Sequence, residues 1–456
     1  MRESRRRGRE GTSVGGEGAL VIFGSSGNLA TTRIIPAVLS LRRKSLVSRR
    51  FVILGVDSRL PEESARASGY RFVRGDLRSR NTFSALGRQL GVRTGDTVSP
   101  VIFYLATKPE LFSEIVRRLK EEGLNRSKFG RRKIMVEKPF GVDLESAQAL
   151  ESTLRSAFPL QEIFRVDHFL GKVGTEQIQR ARFSTPRLEQ VWNRRFIDHV
   201  QIMADEDSDV GARGTFYDST GVVRDMVQNH LLQLLCLVAM EPPKSPGPAG
   251  VAKSKARVLG AMQAPRAGEV IWGQYRGYDQ AKGVRRNTRT PTFAAMKVAV
   301  ENSRWTGVPF YLRTGKALAR TATEVVVVFR GSTPLSKEAP GGLSSLRIRI
   351  DPRAGATVEA NGKVRAISSE APEPTADEYE SLLLEAMNGD QSRFVDARFN
   401  PLSWRILKTQ LDDWEGPHSP KPAPYEPGSW GPSAADGLLA AEGRFWRDGR
   451  SYRSSG

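Results

Sequence analysis

The sequence predicts an α/β + α+β chain, with an N-terminal Rossmann-like doubly wound domain and a C-terminal α+β domain that contains a large, mainly antiparallel sheet. A chain of 456 residues is too long for one ordinary core. Short apolar strands alternate with helical stretches to about residue 165, and longer strands follow. The predicted divisions are a disordered basic tail over residues 1–18, a Rossmann-like domain over residues 19–165 and an α+β domain over residues 166–456.

Composition excludes several classes of protein. The net charge is +20, but the basic residues are spread along the chain without interleaved aromatic residues, so we expect no nucleic-acid partner. No run of 18 apolar residues indicates a membrane span. A single cysteine cannot form a disulfide within the chain. One cysteine and four histidines are also too few to favour a structural zinc cluster. The basic N-terminus lacks the apolar segment of a signal peptide, so we expect a cytoplasmic protein.

The first candidate site is a glycine turn between a strand and a helix. Residues 19–23 form an apolar run, residues 31–43 have a helical pattern, and residues 51–56 form a second apolar run. This order directs backbone N–H groups and a helix N-terminus at a phosphate. The turn lacks the full GxGxxG spacing, so an ordinary turn is the alternative. The candidate cofactor-binding residues of the turn are Gly24, Ser25, Ser26, Gly27, Asn28 and Leu29.

The end of the second strand bears on the choice of cofactor. Asp57 closes this strand, and Ser58 and Arg59 follow it. An acid at this position binds the ribose diol of NAD, whereas an arginine accommodates the 2′-phosphate of NADP. The residues alone leave both cofactors open. Ala106 and Lys138 follow two later strands and are expected at the same edge of the parallel sheet.

The most informative stretch runs from residue 224 to residue 240. Its apolar residues have helical spacing, which predicts a mostly buried helix. Asp225, Gln228, Asn229 and His230 nevertheless lie on its first turns. A buried imidazole that a carboxylate orients is a common general base near pH 7. The alternative is a structural histidine that is bonded to the backbone.

The second domain is predicted from a dense ionisable segment and a series of strands. Residues 164–172 include Asp167, His168 and Lys172. The strands predicted beyond this segment span residues 189–203, 257–262, 324–329, 345–350 and 356–361.

Collinear motifs between about residue 19 and residue 447 resemble those of the glucose-6-phosphate dehydrogenase family. They are found at residues 24–30, 137–141, 166–172, 224–233, 290–295, 304–310, 312–318, 389–392 and 428–432. The resemblance implies oxidation of D-glucose 6-phosphate to 6-phospho-D-glucono-1,5-lactone in the pentose-phosphate pathway. It also implies hydride transfer to NADP, with NAD as the alternative, and a homodimer or homotetramer. By the same resemblance, residues 19–165 are expected to form the dinucleotide-binding domain and residues 166–456 the substrate-binding and dimerisation domain.

The resemblance also assigns roles to residues. It implies that His230 is the general base and that Asp167 orients its imidazole. It places Lys138 between substrate and nicotinamide, with Pro139 in a cis turn. His199 and His418 lie outside the motifs and are interpreted as structural. The substrate-binding residues that the resemblance implies are Lys138, His168, Lys172, Glu206, Asp225 and Lys316.

Several departures from the family pattern leave alternatives open. Phe169 replaces a tyrosine, Val173 replaces a glutamate, and Asn28 replaces an aspartate. The segment between residues 57 and 70 is short, so residues 61–67 can form little more than a short helix. The alternatives are a related sugar dehydrogenase with an altered phosphate requirement and a non-catalytic nucleotide-binding homologue.

Overall fold

The computed structural model describes residues 18–59, 70–91, 100–128, 130–184, 186–266, 268–331, 343–360, 363–368, 377–416 and 419–450. The chain divides into two compact units. Unit 1 consists of Met1–Gly141, Glu145–Gly171 and Thr375–Ala397. Unit 2 consists of Val142–Leu144, Lys172–Pro374 and Arg398–Gly456.

The strands of the described residues are, in chain order, β1 (Ala19–Phe23), β2 (Val52–Asp57), β3 (Tyr70–Arg74), β4 (Val101–Leu105), β5 (Arg132–Val136), β6 (Ile163–Arg165), β7 (Ile197–Asp205), β8 (Met262–Gln263), β9 (Val270–Tyr275), β10 (Phe293–Val300), β11 (Pro309–Gly315), β12 (Ala322–Phe329), β13 (Leu343–Asp351), β14 (Gly355–Ala360), β15 (Lys363–Ser368) and β16 (Ala423–Tyr425).

The α-helices are α1 (Ile35–Arg43), α2 (Arg80–Gln89), α3 (Phe112–Glu121), α4 (Leu144–Ala157), α5 (His168–Gly171), α6 (Val173–Phe183), α7 (Pro186–Gln190), α8 (Gly214–Val222), α9 (Leu232–Ala239), α10 (Pro248–Ala261), α11 (Glu378–Asn388), α12 (Phe399–Glu415) and α13 (Ala434–Ala440). Two π-helical segments span Ala30–Ile34 and Val223–Leu231. Short 3₁₀ turns span Pro109–Leu111, Leu160–Glu162, Gly211–Arg213 and Tyr278–Gln280.

Unit 1 contains a six-stranded parallel sheet in the order β3-β2-β1-β4-β5-β6. All five residues of β1 are fully buried, as expected for a continuous apolar run in a sheet that is covered on both faces. The strand order reverses between β1 and β4, and ligands bind at such a switch point in doubly wound sheets. The predicted Rossmann-like fold is therefore confirmed. The predicted short helix over residues 61–67 lies outside the described residues.

A segment from late in the sequence completes unit 1. Helix α11 packs against α1 and α5, and its apolar residues share one core cluster with β1. The Lys133 ammonium donates to the carbonyls of Ala386 and Met387 at 2.6 and 2.7 Å. Phe394 packs edge-on against Phe164, with ring centroids 4.9 Å apart. Unit 1 therefore includes this later segment in addition to residues from the first part of the chain. The predicted domain boundaries stay a prediction.

Unit 2 contains a ten-stranded sheet, in which β15-β14-β13-β12-β7-β11-β10-β9-β16 form one path and β8 pairs with β10. Only β7–β11 and β9–β16 pair in parallel, and every other described pair in this sheet is antiparallel. The predicted large, mainly antiparallel sheet is therefore confirmed. Within the described residues, no helix is long and apolar enough to cross a membrane.

Two predicted strands of the second domain are wrong in part. Residues 257–261 belong to α10, and only Met262 and Gln263 are extended. A proline in the first turn of α10 favours a helix, and the apolar residues near its end fit helical as well as extended spacing. In the predicted strand over residues 189–203, the start belongs to α7 and the strand begins at Ile197. Leu188, Val191 and Trp192 are buried at helical spacing.

Candidate active site

The glycine turn of unit 1 leaves space for a ligand to approach the protein backbone closely. Gly24 has a φ of +79°, and a Cβ atom there would lie 2.7 Å from the Ala106 carbonyl oxygen. The N–H of Gly27 donates to the Gly24 carbonyl at 3.0 Å, and the N–H of Thr31 donates to the Gly27 carbonyl at 3.0 Å. Only glycine tolerates such a turn without strain. The turn fits the pyrophosphate of a dinucleotide, which this geometry serves in βαβ folds.

Asp57 holds this turn from the end of β2. One oxygen of its carboxylate accepts hydrogen bonds from the Ser26 N–H at 3.1 Å and from the Ser26 hydroxyl at 2.6 Å. The backbone N–H of Arg59 approaches the other oxygen at 3.4 Å. Asp57 is therefore engaged in positioning the turn, a role that the sequence pattern did not distinguish from ribose binding.

A further basic side chain lies beside Asp57. Arg74 ends β3 and is the register partner of Asp57, and its Nε donates to the Ser58 carbonyl at 3.4 Å. The side chain is exposed. Arg74 was not selected from the sequence, because the sequence does not predict the register of β3 against β2.

The end of β5 places a buried carboxyl group next to Lys138. Glu137 is 7% exposed, and the Tyr104 hydroxyl donates to it at 2.5 Å. Burial raises the pKa of Glu137 to about 7, while the Tyr104 hydrogen bond and the Lys138 charge oppose this rise. The Lys138–Pro139 peptide bond is cis, as the resemblance implied.

Asp167 and His168 complete the predicted residues of unit 1. The Asp167 carboxylate is 1% exposed and accepts a hydrogen bond from the Phe169 N–H at 3.0 Å. His168 opens α5, and its ring packs edge-on against the Phe169 ring at 5.0 Å. The Phe169 ring itself is buried.

In unit 2, Asp225 and His230 lie on the π-helical segment Val223–Leu231. Asp225 is 5% exposed and His230 is fully buried. The predicted helix therefore exists, but its first half has π geometry, which is rare and concentrated at functional sites. Gly221 precedes it with a φ of +66° and interrupts the end of α8.

The sheet of unit 2 brings Lys316 and Glu206 together. Strands β7 and β11 are parallel neighbours, so the residues that follow them emerge at the same edge. The Lys316 ammonium forms an ion pair with the Glu206 carboxylate. Lys316 is 1% exposed, and its carbonyl accepts from the Tyr425 hydroxyl at 2.7 Å. The ammonium and the carboxylate are a charged donor and a charged acceptor, which form stronger hydrogen bonds than neutral groups do.

Lys172 and His199 have different environments. The Lys172 ammonium lies 3.2 Å from an Asp351 carboxylate oxygen and is partly exposed at the start of α6. His199 is buried on β7, where its Nδ1 contacts Asp198 at 2.7 Å and its Nε2 contacts Gln201 at 2.9 Å. Burial lowers the pKa of His199, and the hydrogen bond to Asp198 opposes this effect. These contacts agree with a structural role for His199, while His418 lies outside the described residues.

Comparisons with known proteins identify the family. The family model described as "Glucose-6-phosphate dehydrogenase, NAD binding domain" matches residues 21–66 and 64–179. The model described as "Glucose-6-phosphate dehydrogenase, C-terminal domain" matches residues 179–447. The chain belongs to the glucose-6-phosphate dehydrogenase family.

Relatives and solved structures match over nearly the whole chain. "Glucose-6-phosphate 1-dehydrogenase 2" of Mycobacterium bovis is 34% identical over 490 residues and covers 95% of each chain. The crystal structure of glucose-6-phosphate 1-dehydrogenase from Mycobacterium avium has a TM-score of 0.82 at 34% identity, over 96% of this chain and 99% of that one. A glucose-6-phosphate dehydrogenase in complex with its substrate glucose-6-phosphate has a TM-score of 0.84 at 29% identity, over 95% and 99%.

Family membership confirms the resemblance and the assignment of the chain as an oxidoreductase. The two family domains together span both the glycine turn and the segment around His230. The roles of individual residues stay predictions, because none of these comparisons tests them.

The raised pKa of Glu137 predicts a pH-dependent loss of stability. The folded protein retains a proton on Glu137 up to about pH 7, whereas the ordinary value is 4.5. The stability that this group contributes is therefore present below pH 4.5 and is lost as the pH rises through 7. A shift of this size corresponds to as much as about 3 kcal/mol. In urea unfolding between pH 5 and pH 8, the free energy of unfolding of wild type should fall, relative to that of Glu137→Gln, as the pH rises.

The Tyr104→Phe variant provides a second test of Glu137. It removes the hydrogen bond that favours the carboxylate, so the loss of stability should occur at a higher pH than in wild type. A difference between wild type and Glu137→Gln that does not change with pH would contradict the assignment.

Proposed function

We propose that the protein oxidises C1 of D-glucose 6-phosphate to 6-phospho-D-glucono-1,5-lactone with NADP as hydride acceptor. The observation that carries the proposal is the fully buried His230 on a π-helical segment, in a chain of the glucose-6-phosphate dehydrogenase family. A solved relative of the same fold is described as a complex with glucose-6-phosphate as its substrate.

In this proposal, His230 removes the proton of the C1 hydroxyl. A neutral imidazole suits this task because its ordinary pKa lies near the working pH. The carboxylate of Asp167 orients the ring and stabilises the imidazolium that forms, as in other His–Asp pairs. Removal of the proton makes C1 a better hydride donor. The nicotinamide supplies the hydride acceptor when the dinucleotide is bound.

The remaining polar residues hold the substrate. We assign the phosphate to His168 and Lys172, since cationic donors bind phosphate most strongly. The ion pair of Lys316 with Glu206 and the carboxylate of Asp225 supply donors and acceptors for the sugar hydroxyls. We assign Lys138 a position between the substrate and the nicotinamide, as the resemblance implies.

Cofactor binding is assigned to the strand ends of unit 1. Residues 24–29 and Ala106 line the turn that fits the pyrophosphate. Asp57 is engaged with Ser26, so it competes poorly for the ribose diol of NAD. Arg74 and Arg59 then supply positive charge for a 2′-phosphate, which supports NADP over NAD.

A homodimer or homotetramer and a cytoplasmic location belong to the same proposal. Val364 and Ile367 on the edge strand β15 are 68% and 50% exposed. Exposed apolar residues on an edge strand favour association with another chain. A single cysteine suits a reducing compartment. A monomer in sedimentation velocity at micromolar concentration would contradict the oligomer, and cell fractionation tests the location.

Replacement of the base is the first test of the mechanism. His230→Asn should lower kcat by roughly 10²- to 10⁴-fold with little change in the KM for glucose 6-phosphate, because general-base catalysis contributes about this much. Steady-state kinetics of NADPH formation measure both parameters.

His199→Asn is the matched control, since His199 contacts Asp198 and Gln201 within unit 2. It should retain kcat near the wild-type value. Normal turnover by His230→Asn would exclude His230 as the base.

The cofactor assignment makes a separate prediction. Arg74→Ala should lower kcat/KM for NADP about 10-fold, the loss expected for one charged hydrogen bond, and leave kcat/KM for NAD nearly unchanged. Arg71→Ala is the matched control because it removes the same charge from the other end of β3. An equal loss with both cofactors would show that Arg74 does not contact the 2′-phosphate.

A further inference from the structure

Tyr217 has a buried hydroxyl group that no described residue satisfies. It lies on α8 and is 1% exposed. Its hydroxyl oxygen is inaccessible to solvent, and no described group lies within hydrogen-bonding geometry of it. A buried hydroxyl without a partner costs stability unless a ligand or water completes it. Such a group is therefore expected where a polar ligand binds.

The neighbouring tyrosines differ from Tyr217. The ring of Tyr278 packs edge-on against that of Tyr217 with centroids 6.2 Å apart, and its hydroxyl donates to Asp218 at 3.4 Å. The Tyr425 hydroxyl donates to the Lys316 carbonyl at 2.7 Å. The hydroxyls of Tyr278 and Tyr425 thus have partners within unit 2. The hydroxyl of Tyr217 has none among the described residues, so it is available to a ligand.

The groups around Tyr217 are those assigned to the sugar. The Lys316 ammonium lies 5.8 Å from the centroid of the Tyr217 ring, within the range of a cation–π contact. Burial raises the pKa of Tyr217 well above its ordinary value, and the negative charges of Asp225 and Glu206 raise it further. The hydroxyl therefore stays protonated and can donate a hydrogen bond at any working pH.

We propose that Tyr217 is a further substrate-binding and specificity-determining residue, whose hydroxyl forms a hydrogen bond with a hydroxyl group of the bound sugar. The contact lies beside Lys316, Glu206 and Asp225, to which the proposed function assigns the sugar hydroxyls, so this inference rests on the proposed function. A neutral donor and acceptor suits a sugar hydroxyl, which both donates and accepts. Sugars that lack this hydroxyl leave the Tyr217 hydroxyl unsatisfied and bind less well.

The test replaces only the hydroxyl group. Tyr217→Phe should lower kcat/KM for glucose 6-phosphate by roughly 5- to 100-fold, the loss expected when a substrate hydroxyl is left unpaired in a buried site. The Tm of the ligand-free variant should equal or exceed that of wild type, because no described partner loses a bond. With the deoxy analogue of glucose 6-phosphate that lacks the contacted hydroxyl, wild type and variant should have equal kcat/KM.

Tyr278→Phe is the matched control. It removes a hydroxyl from the adjacent ring, but one that bonds Asp218, so it should lower Tm and leave kcat/KM for every sugar unchanged. Equal kcat/KM of wild type and Tyr217→Phe for glucose 6-phosphate would overturn the inference. So would a loss that stays the same for every deoxy analogue.

Failure of the proposed function gives a different result. Wild type would then show no turnover of glucose 6-phosphate with either dinucleotide. In that case calorimetric titration with glucose 6-phosphate decides the role of Tyr217. Weaker binding by Tyr217→Phe supports the contact, and equal affinity or no binding by wild type overturns it.

Discussion

The burial of polar side chains on the π-helical segment Val223–Leu231 constrains the rest of unit 2. Asp225, Gln228, Asn229 and His230 are each at most 5% exposed. Polar groups in a core must find partners, because an unsatisfied one costs about 1–3 kcal/mol. Gln228 donates to the Ser403 hydroxyl at 2.8 Å, and Asn229 donates to the Arg224 carbonyl at 3.1 Å. These bonds fix the segment that carries Asp225 and His230.

The sheet of unit 2 provides a rigid support for Lys316. Arg313, three residues earlier on β11, is fully buried between the carboxylates of Asp205 and Asp448. Its pairing with Asp205 ties β11 to β7, which is the strand that precedes Glu206. The removal of one partner from such a buried network costs several kcal/mol. The ion pair of Lys316 with Glu206 therefore emerges from strands that cannot shift independently.

The sequence predicts a strand or a helix correctly where its apolar pattern matches the burial that the structure shows. Strand β1 has the predicted bounds, because its five apolar residues are continuous and all buried, as in a parallel sheet that is covered on both faces. Helix α10 was mistaken in part for a strand, since its apolar residues fit both periods. The return of α11 to unit 1 depends on contacts between residues about 250 positions apart, such as Lys133 with Ala386. No local pattern records such contacts.

The candidate site divides in the same way. His230, Lys316 and the glycine turn could be proposed from the sequence because motifs mark them, and their roles stay predictions. Arg74 could not, since its position beside Asp57 depends on strand register. Tyr217 could not either, because a buried tyrosine is ordinary until the partners of its hydroxyl are known.

Initial-rate measurements on the wild-type protein test the central claim most directly. Glucose 6-phosphate and free glucose should be compared, each with NADP and with NAD. A site with cationic phosphate ligands should prefer glucose 6-phosphate over glucose by on the order of 1,000-fold in kcat/KM, with NADP the better acceptor. No turnover of glucose 6-phosphate, or equal rates with free glucose, would contradict the account.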